Sequence, residues 1–170
     1  ATIAALSAYF VKICVIEYIT IPSKSMLPNY PVGAKSLMIR NTLKSKQHHV
    51  EVINHGDVVY WQFPGNPDVL FIKRVIGLPG DRLLMDESGI RINDQNYPFT
   101  LVDKDANVFS VNVNGNQWDV LIDPELPFRP FDTLIVPPDT YFVLGDNLNM
   151  SGDSRTYGPM RYTYIKGYPY

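Results

Sequence analysis

Beyond residue 20 the chain alternates short apolar runs with clusters of Pro, Gly, Asn and Asp, a rhythm that predicts strands joined by turns. AKSLMIR (34–40) reads as a strand, followed by the polar excursion NTLKSKQHHVEVINHG (41–56). DVVYWQF (57–63) and VLFIKRVIG (69–77) are strong strands, closed by the turn-forming PGNPD and LPGD. GIRIND (89–94) is a short strand before a turn. VFSVNVN (108–114) and QWDVLID (117–123) predict a hairpin around Gly115. TLIV (133–136) and TYFVLGD (140–146) flank Pro137 and Pro138, and a last strand is expected near Arg161 to Ile165. The fold class is mostly β. The stretch 85–135 is more polar and rich in Asn and Asp, which predicts an inserted β subdomain between core segments 21–84 and 136–167.

The N-terminus breaks this pattern. ATIAALSAYFV carries no charge before Lys12, and ICVIEYITI is apolar except for Glu17. We read residues 1–20 as the end of a membrane-anchoring helix, with Lys12 able to snorkel toward headgroups. A buried core helix and the remains of a signal peptide are the other readings. With 170 residues, 45% of them hydrophobic, the chain can build one domain with a real core. A formal net charge of -2 suggests no general attraction to nucleic acid or anionic lipid. The single cysteine, Cys14, forms no intrachain disulfide. His48, His49 and His55 share one polar loop region and lack the usual metal-ligand set.

Three stretches carry candidate chemistry. In VLFIKRVIG, Lys73 shares a strand face with Phe71 and Val75, and Arg74 shares the other with Ile72 and Ile76. At least one of these cations therefore lies among apolar neighbours. A buried lysine responds by losing its proton, which makes it a usable base, whereas arginine stays charged. Lys73 is the better base and Arg74 the better ion-pair partner; two solvated edge-strand cations are the alternative. IPSKSMLPNY (21–30) sets two serines one residue apart between prolines. FVLGDNLNMSGDSRTYG (142–158) follows a strand with a dense polar loop, in which Asp153 and Arg155 can pair.

Read in order, IPSKSMLP, GDVVYW, FIKRVIGLPGD and GDNLNMSGDSRTYG closely resemble the type I signal peptidases, membrane-bound Ser-Lys peptidases that remove secretory signal peptides. The resemblance runs to about residue 167 and is weakest in 85–135. It implies a signal-peptidase-like coiled β-sheet and a Ser-Lys dyad, with Ser25 as nucleophile and Lys73 as general base. It implies an oxyanion hole from the Ser25 N–H and the Ser23 hydroxyl, Ser151 orienting the lysine, and Asp153 and Arg155 bracing their loop. Met26 would pack against the substrate groove. No metal or cofactor is implied. The implied partners are membrane lipid and precursor proteins with extended cleavage sites bearing small residues at −3 and −1, and no nucleic acid. The implied location is the outer face of the bacterial inner membrane.

The sequence also departs from the family. Lys24 stands where a small residue is usual; on an extended chain it points away from Ser25. Asn29 replaces a threonine, Gly33-Ala34 stands for Gly-Asp, and Leu148, Asn149 and Met150 replace an arginine, an aspartate and an asparagine. These changes question substrate preference more than activity. They point to a branch with a dedicated substrate, such as a conjugative pilin, beside the general secretory role. A self-cleaving repressor with the same dyad and a catalytically silent membrane-anchored scaffold are the rival classes.

Overall fold

The computed structural model describes residues 16–40 and 53–170. Fourteen strands are distributed over three antiparallel sheets. In chain order they begin β1 (Ile16–Thr20), β2 (Lys35–Arg40), β3 (Val58–Gln62) and β4 (Leu70–Gly77). Next come β5 (Arg82–Asp86), β6 (Gly89–Ile92), β7 (Gln95–Pro98) and β8 (Thr100–Asp103). The hairpin β9 (Val108–Val113) and β10 (Asn116–Leu121) leads to β11 (Phe131–Ile135) and β12 (Thr140–Leu144). A single helical turn α1 (Ser154–Tyr157) precedes β13 (Met160–Arg161) and β14 (Ile165–Pro169).

The large sheet has seven strands in the order β1-β2-β14-β3-β4-β12-β13. The segment between Arg82 and Ile135 makes the other two sheets, β11-β5-β6-β7 and β10-β9-β8. The chain thus enters the second sheet at Arg82, ahead of the boundary expected at 85. The hairpin around Gly115 forms because Asn114 and Gly115 both take positive φ (54° and 91°), the backbone of a two-residue turn that matches strand twist. Strands β5, β7 and β8 were not legible from the apolar pattern. Fully exposed Thr100–Asp103 carries no alternation to read, and β7 buries only Tyr97.

One expectation is corrected at the N-terminus. Residues 16–20 are a strand, not the end of a helix. IEYIT is rich in β-branched residues and alternates strictly between more and less exposed positions, and it pairs residue by residue with β2, Glu17 opposite Met38. Glu17 also meets Arg40 at 2.9 Å. Residues 1–15, including Lys12 and Cys14, lie outside the described residues, as do His48 and His49. Among the described residues no helix is long and apolar enough to cross a membrane.

Three clusters form the core. Ile76, Phe142 and Leu144 from the large sheet pack on Leu83, Met85, Ile90 and Ile92, and on Val111, Trp118 and Val120 of the hairpin. The opposite face carries Val59, Trp61, Val75, Val143, Met160 and Ile165. A third cluster, Ile21, Met26, Met38, Tyr60 and Ile72, lies under the serine-bearing loop. Strand β4 is central to all of this: its last six residues, Ile72 to Gly77, are buried on both faces.

Candidate active site

The site is assembled by β4 and two loops. Leaving the extended Ser23 (φ −131°, ψ 163°), the first loop makes one 3₁₀ turn over Lys24–Met26 and then a cis Leu27–Pro28 bond. Backbone bonds from Ile21 N to Ala34 O (2.9 Å) and from Gly33 N to Ile21 O (2.8 Å) tie the segment ahead of this turn to the approach to β2. Met26 anchors the turn by full burial, at 0% exposure. This corrects its expected role: Met26 lies under Ser25 in the third core cluster and presents no surface to a groove. Lys24 is exposed, on the outside of the turn.

Ser25 and Lys73 meet in the interior, at 8% and 1% exposure. Lys73 Nζ lies 2.9 Å from Ser25 Oγ and 2.8 Å from the Ile72 carbonyl oxygen. Burial is the largest influence on this lysine and lowers its pKa to about 8, against the opposing pull of the Asp153 and Asp146 carboxylates. In the amine form, Nζ accepts a hydrogen bond from the Ser25 hydroxyl while one N–H still reaches the Ile72 carbonyl. Those two contacts hold a neutral base against a nucleophilic oxygen.

The second loop follows β12. Asn147 N donates to the Ser25 carbonyl oxygen at 3.0 Å, which joins the two loops directly. They approach so closely at Gly145 that a Cβ there would overlap both Ser151 Oγ and the Ser25 carbonyl oxygen. That close approach requires glycine. Further along, Asp153 caps α1 and receives Arg155 Nε at 2.9 Å, an Arg155 terminal nitrogen at 2.7 Å and Gly145 N at 3.1 Å. Burial alone would raise the Asp153 carboxyl; the Arg155 bonds and charge, with the Gly145 N–H, outweigh it and hold the group below its ordinary value. Arg155 also donates to the Leu148 carbonyl at 2.7 Å. The expected pair is thus present and ties both ends of the loop together.

Two expected contacts differ. The Ser23 hydroxyl lies 3.1 Å from Ser25 Oγ and is turned toward the nucleophile, so it must rotate to meet an oxyanion. Ser151 is 1% exposed and its Oγ has no hydrogen-bond partner, while Lys73 Nζ is bonded to Ser25 and Ile72 instead. The structure therefore brings Ser151 to the site but not onto the lysine. A neutral amine keeps one N–H beyond those two contacts, and an unpaired buried hydroxyl costs about 1–3 kcal/mol, so the two groups are chemically matched.

Several site residues escaped the sequence reading. Arg74 binds Asp146 in a two-pronged pair, both contacts at 2.7 Å, and reaches the Gly56 carbonyl at 2.7 Å with its guanidinium over Trp118. Arg74 had been expected to pair, but its partner is identified only by the fold. Burial pushes the Asp146 carboxyl up, against the pull of Arg74. Asn29 donates to Asp146 at 2.8 Å and to the Asp119 carbonyl of β10 at 2.6 Å, linking the serine loop to the hairpin. Asn149 accepts from Asp123 N at 2.8 Å and donates to the Leu126 and Pro127 carbonyls at 3.1 and 3.2 Å. Arg129 donates to the Ser151 carbonyl, and Leu148 is buried in the first core cluster. The unusual residues at 29, 148 and 149 thus fasten the site to the 85–135 segment.

His55 is paired with Asp81 at 2.8 Å, and among the described residues no three His, Cys, Asp or Glu side chains converge as a metal set.

Comparison with known proteins agrees with this arrangement. The family model described as signal peptidase, peptidase S26 matches residues 1–168. The signal peptidase I of Pseudomonas aeruginosa is 30% identical over 155 residues, covering 82% of this chain and 55% of that protein. The signal peptidase I P of Bacillus subtilis subsp. natto is 29% identical, covering 90% of this chain and 73% of its own length. A crystal structure of a signal peptidase I from Enterococcus faecalis V583 aligns with a TM-score of 0.49 and 26% identity, over 71% of this chain and 98% of that one. The chain spans little more than half the length of the Pseudomonas relatives it matches.

Proposed function

This chain belongs to the signal peptidase family, peptidase S26, and from that membership we propose that it is a serine endopeptidase that removes N-terminal signal peptides from exported precursors. The observation that carries this reading is the 2.9 Å contact between a buried Lys73 Nζ and Ser25 Oγ.

The chemistry follows from that contact. Neutral Lys73 takes the Ser25 proton as Oγ attacks the scissile carbonyl carbon. The Ser25 N–H and a rotated Ser23 hydroxyl hold the oxyanion. Collapse of the intermediate breaks the C–N bond, and the leaving amine takes the proton back from Lys73. Water, deprotonated by the same amine, then attacks the acyl ester and releases Ser25. Ser151 orients the lysine through its unpaired hydroxyl, and the Asp153–Arg155 pair holds the loop that carries Ser151.

The substrate lies along β4 as an added strand. Strand β12 pairs only with Arg74 to Gly77, so the edge of Leu70–Lys73 away from β3 is left for an extended peptide at the dyad. Small residues at −3 and −1 suit a peptide pressed between this edge and the serine loop. The N-terminal residues anchor the enzyme at the outer face of the bacterial inner membrane, and 85–135 is an insertion in the 21–84 and 136–167 core. The Asn29, Leu148 and Asn149 replacements favour a dedicated substrate, such as a conjugative pilin, as the second reading.

The test is cleavage of a secretory preprotein with an Ala-X-Ala site, in detergent, by the wild type, Ser25→Ala and Lys73→Ala. Cutting by the wild type alone is the expected outcome. Cutting by either variant would end the dyad reading, and failure on both secretory and pilin precursors would favour the silent scaffold.

A further inference from the structure

A groove of about 350 Å³ opens beside the dyad, within the size range of ligand pockets, roughly 300–1,000 Å³. Its walls are mostly apolar: Trp61, Phe63, Pro64, Tyr157, Pro159 and Tyr164. It is continuous with the catalytic lysine. The Phe71 ring centroid lies 5.3 Å from Lys73 Nζ. Phe71 stacks on Tyr157 at 6.2 Å with an interplanar angle of 18°, and Phe63 closes the cluster edge-on, 5.1 Å from Tyr157 and 5.5 Å from Phe71. Tyr157 is nevertheless 48% exposed, a large ring held at the surface with a free face.

The direction of the reaction says what reaches this groove. The leaving amine takes its proton from Lys73 Nζ, so the first residue after the cut must pass that nitrogen. An extended chain advances about 3.3 Å per residue, which carries the second to fourth residues across Phe71 and onto Tyr157. A membrane contact fits less well. Arg161 is the one charged residue lining the groove, whereas surfaces that seat on anionic lipid gather several lysines and arginines.

We propose that the Phe63–Phe71–Tyr157 groove is a specificity site for the mature side of the precursor, taking an apolar or aromatic side chain two to four residues beyond the cleaved bond. This rests on the peptidase reading and extends it: the enzyme selects on the released protein as well as on the signal.

Two peptides identical through the cleavage site test it, one with Phe and one with Ser at the third position after the cut. The readout is the ratio of their kcat/KM values in the wild type, Tyr157→Ala, Phe63→Ala and Tyr157→Phe. The wild type should prefer the Phe peptide about tenfold. The ratio should fall toward one in both alanine variants and persist in Tyr157→Phe. A ratio near one in the wild type, or one unchanged by the alanine variants, overturns the site while peptide cleavage keeps the peptidase reading intact. No cleavage of either peptide, or equal cleavage by Ser25→Ala, overturns both. If the alanine variants left the ratio alone and instead weakened binding to phosphatidylethanolamine–phosphatidylglycerol vesicles, the groove would be a lipid contact and the proposal would fall.

Discussion

Lys73 and Arg74 are neighbours on one strand, both buried, and they meet opposite fates. Arg74 faces a carboxylate that fits its guanidinium on two prongs, and it keeps its charge. Lys73 faces a hydroxyl, a carbonyl and the Phe71 ring, with no carboxylate in hydrogen-bond contact, and burial brings it toward neutrality. The lesson is that burial alone does not decide a cation's charge. The partner decides it, together with whether the side chain can give up a proton.

The hardest way to break the comparison is to put the permanent cation on the reactive side. Lys73→Arg should lower kcat by roughly 10³- to 10⁴-fold, since arginine cannot act as the base. The assay is turnover of the Ala-X-Ala substrate at pH 9. Near-normal turnover would move the base role to exposed Lys24.

The complementary break is on the other face. Asp146→Asn leaves Arg74 charged in the interior without its counter-ion, and it should cost roughly 3–5 kcal/mol in urea unfolding. A loss of less than about 1 kcal/mol would mean that the Gly56 carbonyl and the Trp118 ring suffice to hold the guanidinium.

How much of this was visible in the sequence follows the same division. The alternation in residues 57–63 and 69–77 and the Asn-Gly turn at 114–115 are local signals, and they placed β3, β4 and the β9–β10 hairpin. The two cations on opposite faces of β4 followed from strand geometry alone, and the order of the Ser, Lys and Gly-Asp-Ser-Arg boxes pointed to the family. What could not be read is what depends on distant parts of the chain meeting. Asp146 is 72 positions from Arg74, and Asn29 reaches Asp119 across 90 positions. Residues 16–20 misled because an apolar run is compatible with helix or strand until its pairing partner is known. Met26 misled because a residue next to a nucleophile can point into the core as readily as into a groove.

The comparison can be sharpened by pH. Lys73 is the base only as an amine, so kcat/KM should rise through a midpoint near pH 8 and level off above it. Stability follows the same lysine with a definite sign. Its folded pKa lies below the unfolded value, so the folded chain carries a buried charge at low pH. The resulting penalty is complete below about 8 and vanishes above about 10.5. Lys73→Met should therefore be inactive yet more stable than the wild type by roughly 3 kcal/mol at pH 7. That advantage should shrink as pH approaches 10.5. An advantage constant with pH would mean that the gain comes from packing and not from the charge.

The smallest effect tests how far the Arg74 side extends. Beyond Asp146 the loop turns through Leu148 and Asn149 onto the hairpin side, where the Asn149 amide accepts from Asp123 N and donates to two carbonyls. Asn149→Ala should cost about 1–2 kcal/mol of stability. Asn149→Asp, which restores the residue usual in the family, should be no better than alanine: it keeps the acceptor for Asp123 N but turns a carboxylate oxygen toward the Leu126 and Pro127 carbonyls. The same loop carries Ser151, so a shift there should lower kcat with little change in KM. If both variants lose stability but keep kcat, the 85–135 segment supports the fold and does not tune the dyad. If kcat falls with them, the segment holds the loop in register with Lys73, and the two faces of β4 are coupled through it.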